Sequence, residues 1–190
     1  KLLQSVCSTS TPVVVVLLNG RPYTIPWMKK NIPAIIQAYY PGEQGGLAIA
    51  EVLSGKVNPS GRLSVSFPQS EGHIPTVYNF KPSGRGFYRI PGSFENPGHD
   101  YVNATTDPLF PFGFGLSYTT FEYSDISLNK DSFSCDDEIK VKCTITNTGT
   151  RSGKEVIQLY IRDVVSSVTT PMMELKRFRK IDLDKRERQT

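Results

Sequence analysis

The first third of the chain alternates short apolar runs with turn-forming residues, in an order typical of an α/β layer. Val13 to Leu18 is a continuous apolar run that stops at Asn19, as expected for a strand buried on both faces of a parallel sheet. A second apolar run covers residues 35–40. The stretch GEQGGLAIAEVLSG then predicts a helix, with Gly55 at its C-terminal stop. The alternation in RLSVSF predicts a further strand.

Residues 119–190 contain only strand patterns. Four segments, SDISL, EIKVKCTITN, EVIQLYIR and LKRFRKIDL, alternate in polarity or are rich in β-branched residues. This pattern predicts an all-β, immunoglobulin-like sandwich. Cys143 lies at an inward-facing position of the second segment, and we interpret it as a small core residue rather than a disulfide partner.

Charge also separates the two parts. Residues 1–118 carry 9 basic and 6 acidic residues, whereas residues 119–190 carry 13 and 12. We therefore predict a partial α/β domain with a largely parallel sheet over 1–118 and a sandwich domain over 119–190. The net charge of +4 is too small and dispersed to indicate a nucleic-acid surface. No apolar run is long enough for a membrane helix, and the first ten residues do not resemble a targeting peptide.

Residue types alone reveal no catalytic machinery. Residues 68–115 are rich in Pro, Gly and aromatics, and a loop of this length predicts a functional role. The acid/base candidates of the first part are Glu43, Glu51, Glu71, Glu95, Asp100 and Asp107. No two of them have the spacing of a defined carboxylate pair, and the sequence contains no GxSxG motif.

Several motifs that suggest a ligand fail on spacing or context. NTGTRSGKEV is one residue too short for a phosphate loop and has Glu155 where a magnesium-binding hydroxyl belongs, so a β-hairpin is the favoured interpretation. FGFGLSY lacks both the third glycine and the following helix of a dinucleotide site. The acidic residues near 131–138 and the basic run at 176–180 favour solvated strand segments. No Cys or His spacing indicates zinc, and we expect neither metal nor cofactor.

Longer motifs place the chain in a known family. PVVVVLLNGRPYTIPW, YYPGEQGGLAIAEVLSGKVNPSGRLSVSFP, HIPTVYNFKPSGR and PLFPFGFGLSYTTFEYS follow one another in that order. Together they resemble the C-terminal half of glycoside hydrolase family 3, most closely its periplasmic β-glucosidase branch. TNTGTRSGKEVIQLYIRD and PMMELKRFRKIDL resemble the fibronectin type III-like domain that ends many of these enzymes.

The resemblance implies retaining hydrolysis of terminal β-D-glucosyl residues by two carboxylates. In the family, the aspartate nucleophile lies on an N-terminal (β/α)8 barrel, and the glutamate acid/base lies upstream of the PVVVVLLNGRP strand. Neither position matches a residue of this chain, and Glu43 matches a structural turn. We therefore expect the C-terminal portion of a glycosidase, without catalytic residues, inactive alone and lacking the last strand of its sandwich.

For this portion the resemblance implies a role at the active-site rim and in support of the barrel. The candidate substrate-binding residues are Tyr78, Asn79, Arg85, Tyr88 and Tyr101. Aromatic rings can stack on sugar faces and the polar groups can meet hydroxyls, but a packed loop explains the same residues equally well.

The expected partners are a β-linked oligosaccharide or glycoside, the N-terminal barrel domain of the same enzyme, and a second copy of the chain. The expected location is periplasmic or secreted. Two alternatives stay open: a non-catalytic carbohydrate- or protein-binding module, and the same part of a β-xylosidase or N-acetylglucosaminidase.

Overall fold

The computed structural model describes residues 1–81, 95, 107–134 and 136–190. The described residues form the helices α1 (Leu2–Cys7), α2 (Pro26–Asn31) and α3 (Gly45–Leu53) and the strands β1 (Val14–Leu17), β2 (Ala34–Gln37), β3 (Phe121–Leu128), β4 (Val141–Asn147), β5 (Gly153–Ile161), β6 (Glu174–Leu183) and β7 (Arg188–Gln189).

The chain divides into two compact units whose segments alternate along the sequence. The first unit consists of Lys1–Ala50, Leu63–Phe114 and Tyr160–Lys176, and the second of Glu51–Arg62, Gly115–Leu159 and Arg177–Thr190. The domain boundary after residue 118 stays a prediction.

In the first unit, β1 and β2 form the parallel pair that the apolar runs predict. Their register runs from Val14 opposite Ala34 to Leu17 opposite Gln37. β2 ends earlier than its apolar run, because Tyr39 takes a left-handed backbone conformation with φ of 51°. The core of this unit consists of Ile25, Phe67 and Leu109, with Leu17, Met28, Ile35, Leu63 and Phe110 packed around them.

The predicted helix after β2 is confirmed as α3. It ends as predicted, with Gly55 at a φ of +75° and its N–H donating to the Val52 carbonyl over 2.9 Å. The two shorter helices were not predicted. Their six residues each are too few for a clear 3.6-residue period, and the available signal for α2 was Pro26 at its first turn.

The predicted strand RLSVSF is wrong as a continuous strand. Leu63 and Phe67 exchange backbone hydrogen bonds with residues 109–114, but the pairing reduces to one bridge between Phe67 and Phe110. Pro111 has no N–H to donate, and Gly113 has a φ of +79°. These two residues interrupt the ladder that an alternating segment would otherwise form.

The second unit contains the predicted sandwich strands. β3, β4 and β7 form an antiparallel sheet, and β5 and β6 form a two-stranded one. The core consists of Ile145, Ile181 and Leu183, and the half-buried Cys143 packs against it. The interpretation of Cys143 as a small core residue is confirmed.

The hairpin predicted for NTGTRSGKEV is wrong. β4 and β5 belong to different sheets, so the residues between them cross from one sheet to the other. The fully buried Asn147 fixes this crossing. Its Nδ2 donates to the Arg151 carbonyl over 2.8 Å, and its Oδ1 accepts from Thr119 Oγ1 over 2.7 Å and from Gly149 N over 3.1 Å. A buried amide with these partners replaces the hydrogen bonds of a hairpin turn.

Residues 51–62 are held in the second unit by side-chain hydrogen bonds. Asn58 Nδ2 donates to the Ser152 carbonyl over 3.0 Å, and its Oδ1 accepts from Ser117 Oγ over 2.9 Å and Tyr118 N over 2.8 Å. The Tyr118 hydroxyl donates to the Val52 carbonyl over 2.9 Å. Asn58 therefore forms hydrogen bonds both to the segment before β3 and to the segment between β4 and β5.

A buried ion pair completes this attachment. The Arg62 guanidinium and the Glu155 carboxylate form a salt bridge, with 12% and 10% of their side chains exposed. The other carboxylate oxygen accepts a hydrogen bond of 2.8 Å from the Tyr123 hydroxyl. Burial raises the pKa of Tyr123, and the hydrogen bond to Glu155 raises it further. Both oxygens of the buried carboxylate are thus compensated.

Replacing Arg62 by Met is expected to lower the free energy of unfolding by about 3 kcal/mol, because the carboxylate stays buried without its cation. The double variant Arg62→Met/Glu155→Leu should regain most of that loss, since an apolar pair carries no desolvation penalty. Urea unfolding of the chain and both variants measures these differences.

The exposed pair Lys154–Asp182 is the matched control. Its atoms lie 3.5 Å apart and its side chains are 54% and 68% exposed, so Lys154→Met should cost less than about 0.5 kcal/mol. Equal losses for Arg62→Met and Lys154→Met would contradict a special role for the buried pair.

Candidate functional site

Tyr78 has the most extensive contacts of the predicted site residues that the structure describes. Its ring stacks on Phe112 with 4.1 Å between centroids and 15° between planes. Tyr160 meets it edge-on at 6.1 Å and 72°. The Tyr78 hydroxyl accepts a hydrogen bond of 3.4 Å from the Leu175 N–H. Three segments that are distant in sequence therefore meet at one half-buried ring within the first unit.

The same contacts affect Tyr160. Burial raises the pKa of its phenol, and the neighbouring Tyr78 raises it further. Tyr160 therefore keeps its proton at neutral pH. Tyr160 packs against Tyr78 as a neutral phenol.

Phe112 is positioned by a row of aromatic residues in the PLFPFGF stretch. Phe110 contacts Phe67 edge-on at 5.9 Å and Phe114 at 5.4 Å. Lys29 lies over the Phe110 ring at 5.0 Å and donates to the Leu109 carbonyl over 2.7 Å. This packing fixes the backbone from which Phe112 supports Tyr78.

Asn79 follows Tyr78 and is exposed. The next residue, Phe80, accepts a backbone hydrogen bond of 2.9 Å from Met172 N, which ties this segment to the connection between β5 and β6. That connection, residues 162–172, lines an open hollow of about 610 Å³ and leaves Val164 and Val165 exposed at 77% and 90%. The connection that is tied to this segment through Met172 therefore presents an open and partly apolar surface.

The remaining candidate binding residues, Arg85, Tyr88 and Tyr101, lie outside the described residues, as does Asp100. Tyr78 and Asn79 are neighbours in sequence. Whether all five candidate residues form one site is therefore not tested by the structure. Among the acid/base candidates, Glu51 forms an exposed ion pair with Lys56 at 2.5 Å. In the described part of the chain, no cluster of three His, Cys, Asp or Glu side chains could hold a metal ion.

The sequence reasoning missed the partners of Tyr78. Phe112 belongs to a motif that carries the family resemblance, and Tyr160 belongs to a strand pattern. The hydrogen bond to Leu175 spans 97 positions, and no local pattern predicts a contact of that separation. Alternation could have indicated only that Tyr160 lies on one face of β5.

Comparisons with known families agree with this architecture. Residues 1–118 match the glycosyl hydrolase family 3 C-terminal domain, and residues 155–190 match a fibronectin type III-like domain. The chain belongs to glycoside hydrolase family 3. The predicted succession of an α/β part and a fibronectin-like sandwich is confirmed.

Curated relatives include the periplasmic β-glucosidase of Salmonella typhimurium, which is 41% identical over all of this chain and 24% of its own length. The thermostable β-glucosidase B of Acetivibrio thermocellus is 43% identical over all of the chain and 25% of its length. A β-xylosidase of Formosa agariphila is 40% identical over all of the chain and 25% of its own length. The chain thus spans about a quarter of the length of these relatives.

Solved structures of the family have the same fold. A β-glucosidase of Listeria innocua bound to isofagomine is 38% identical with a TM-score of 0.91, over 99% of this chain and 26% of that one. A β-glucosidase of Erythrobacter marinus is 40% identical with a TM-score of 0.89, over 99% and 23%. None of the helices within the described ranges has the length and apolar character needed to cross a bilayer.

The Tyr78 contacts predict a graded series of stabilities. Tyr78→Phe keeps the stacking on Phe112 but removes the acceptor for Leu175 N, and should cost about 1 kcal/mol. Tyr78→Ala also removes the half-buried ring and should cost about 2 kcal/mol or more. Thermal and urea unfolding of the chain measure both.

The neighbouring exposed residue provides the control. Asn79→Ala should change the free energy of unfolding by less than about 0.5 kcal/mol. A Tyr78→Ala variant as stable as Asn79→Ala would show that the aromatic cluster does not support this segment.

Proposed function

We propose that the chain is the C-terminal portion of a retaining β-glucosidase that hydrolyses terminal β-D-glucosyl residues of oligosaccharides or glycosides. The observation that carries the proposal is the family match over residues 1–118, joined to a fibronectin-like match over residues 155–190. Both Salmonella and Acetivibrio relatives that share this arrangement are named β-glucosidases.

In the proposed enzyme this portion supports catalysis without supplying the reacting carboxylates. In the proposed enzyme those carboxylates belong to parts outside this chain, and the N-terminal barrel that carries the nucleophile is the proposed partner of the chain. Tyr78, Asn79, Arg85, Tyr88 and Tyr101 are the proposed rim residues. The contacts of Tyr78 and Asn79 support two different roles. The packed Tyr78 holds the segment in place, and the exposed Asn79 offers its side-chain amide to a hydroxyl group of the sugar.

A second candidate is β-xylosidase activity on the same scaffold. It is favoured by the Formosa relative, which is named a β-xylosidase and is 40% identical over the whole chain. A xyloside lacks the hydroxymethyl group of a glucoside, so the two activities differ by a small part of the sugar pocket.

A chimera tests the function. The C-terminal quarter of the Salmonella relative is replaced by this chain, and hydrolysis of nitrophenyl β-glucoside and β-xyloside is measured. We expect turnover of the glucoside that exceeds that of the xyloside, because the barrel supplies the nucleophile and this chain supplies the support. The isolated chain should show no turnover of either.

Two control proteins show whether the activity of the chimera depends on this chain. The Salmonella enzyme truncated before the exchanged quarter should be inactive, and the Arg62→Met chimera should lose activity on heating earlier than the parent chimera. A folded chimera with no activity on either glycoside, or turnover by the isolated chain, would contradict the proposed division of roles.

The proposed location is periplasmic or secreted, supported by the name of the Salmonella relative. Self-association is a further prediction, because β5 and β6 pair only with each other among the described strands and an unpaired edge recruits another chain. Sedimentation should show dimers or larger species of the isolated chain, and a stable monomer over the concentration series would refute this.

A further inference from the structure

The parallel pair β1–β2 brings two polar strand ends to one place. Because the strands are parallel and in register, the segments that leave them, residues 18–21 and 38–41, lie at the same edge of the sheet, here called the carboxyl edge. In open α/β sheets, ligands bind outside the carboxyl ends of the strands. Unused hydrogen-bonding groups at this edge are therefore candidates for a ligand site.

An amide pair lies at the carboxyl edge. Asn19 is only 6% exposed, and its Oδ1 accepts a hydrogen bond of 2.7 Å from Gln37 Nε2. This bond fixes the orientation of the Asn19 amide. Among the described residues nothing accepts from Asn19 Nδ2, and Gln37 Oε1 is buried without a donor. Buried amides normally have their hydrogen-bonding groups satisfied, so the pair has capacity that the chain itself does not use.

An exposed aromatic ring lies beside this amide pair. The Tyr40 side chain is 81% exposed, yet the edge of its ring rests directly on the backbone of Gly20. A Cβ atom at Gly20 would lie 2.7 Å from Tyr40 Cε2 and 2.8 Å from its hydroxyl oxygen. The absence of a side chain at Gly20 therefore permits this close approach, while most of the Tyr40 ring surface stays open.

Together these groups match the chemistry of a neutral sugar. A pyranose has an apolar face of C–H groups, which packs on an aromatic ring, and hydroxyl oxygens, which accept from an amide N–H. Asn19 and Tyr40 supply the two kinds of contact from adjacent strand ends.

We propose that Asn19, Gly20 and Tyr40 form a subsite that binds one glucosyl unit of a β-linked oligosaccharide, with Tyr40 stacking on the sugar and Asn19 Nδ2 donating to a hydroxyl. Gln37 is a positioning residue, because it orients the Asn19 amide. The sugar class rests on the proposed function, whereas the place of the subsite rests on the geometry of the carboxyl edge.

The test is a titration of the isotopically labelled chain with cellobiose and laminaribiose, followed by NMR. Saturable shifts are expected at the amides of residues 19–21 and 38–42. Tyr40→Ala should weaken binding about three- to tenfold, the range of an aromatic packing contact. Gly20→Ala should weaken it similarly, because the added methyl group displaces the ring while Tyr40 itself is retained.

The double variant shows whether Gly20→Ala weakens sugar binding by displacing the Tyr40 ring or by disturbing the local structure in general. If Gly20 acts only by seating Tyr40, Gly20→Ala/Tyr40→Ala should bind no more weakly than Tyr40→Ala alone. Tyr23→Ala is the matched control, since Tyr23 is another exposed tyrosine of the same unit at 51%, and its affinity should equal that of the unsubstituted chain. Melting curves establish that each variant is folded.

Three results would overturn the subsite: no saturable shift up to about 10 mM sugar, ten times the usual upper range of KM; equal affinity in the Tyr40→Ala variant; or equal weakening by Tyr23→Ala. The chimera assay decides the proposed function separately. Hydrolysis by the chimera without binding at the carboxyl edge rejects the subsite alone, and binding by the chain with an inactive chimera rejects the β-glucosidase alone.

Discussion

Burying a carboxylate in a β sandwich costs free energy unless a cation and hydrogen-bond donors are fixed beside it. Glu155 meets this condition through Arg62, and the Tyr123 hydroxyl compensates the second oxygen. Arg62 ends the segment Glu51–Arg62, which belongs to the second unit although it follows most of α3 in sequence. The need to compensate one buried charge therefore explains why the path of the chain enters the sandwich unit early.

The elements that the sequence predicts well are those whose burial is recorded in side-chain periodicity. β1, β2 and the four long sandwich strands each place residues in or against a core, and their residues are apolar or alternate accordingly. α3 is predicted instead by its apolar stretch and by the glycine stop at Gly55. Periodicity does not identify the partner of a strand. For this reason the sequence predicts a hairpin before β5, where the chain instead passes between two sheets. It likewise predicts a strand over RLSVSF, although Pro111 and Gly113 interrupt the ladder.

The residues of the candidate site cannot be predicted from periodicity. Tyr78 and Asn79 were identified by resemblance to a long family motif, because no periodicity or local spacing distinguishes a rim residue from a packed loop. The contacts that hold Tyr78 come from Phe112, Tyr160 and Leu175, and these residues, distant in sequence, come together only in the folded first unit. The amide pair of Asn19 and Gln37 was missed for the same reason, since each residue alone is an ordinary strand end.

The alternation of the two units along the chain has a consequence for how the protein can be divided. Six segments contribute in turn, from Lys1–Ala50 to Arg177–Thr190, so a single cut in the backbone separates neither unit from the other. Limited proteolysis at a loop between Arg62 and Tyr160 would leave both units with part of their chain on each side of the nick. Recombination between genes would likewise preserve the fold only if it exchanged the two parts together, so they are expected to be inherited as one block.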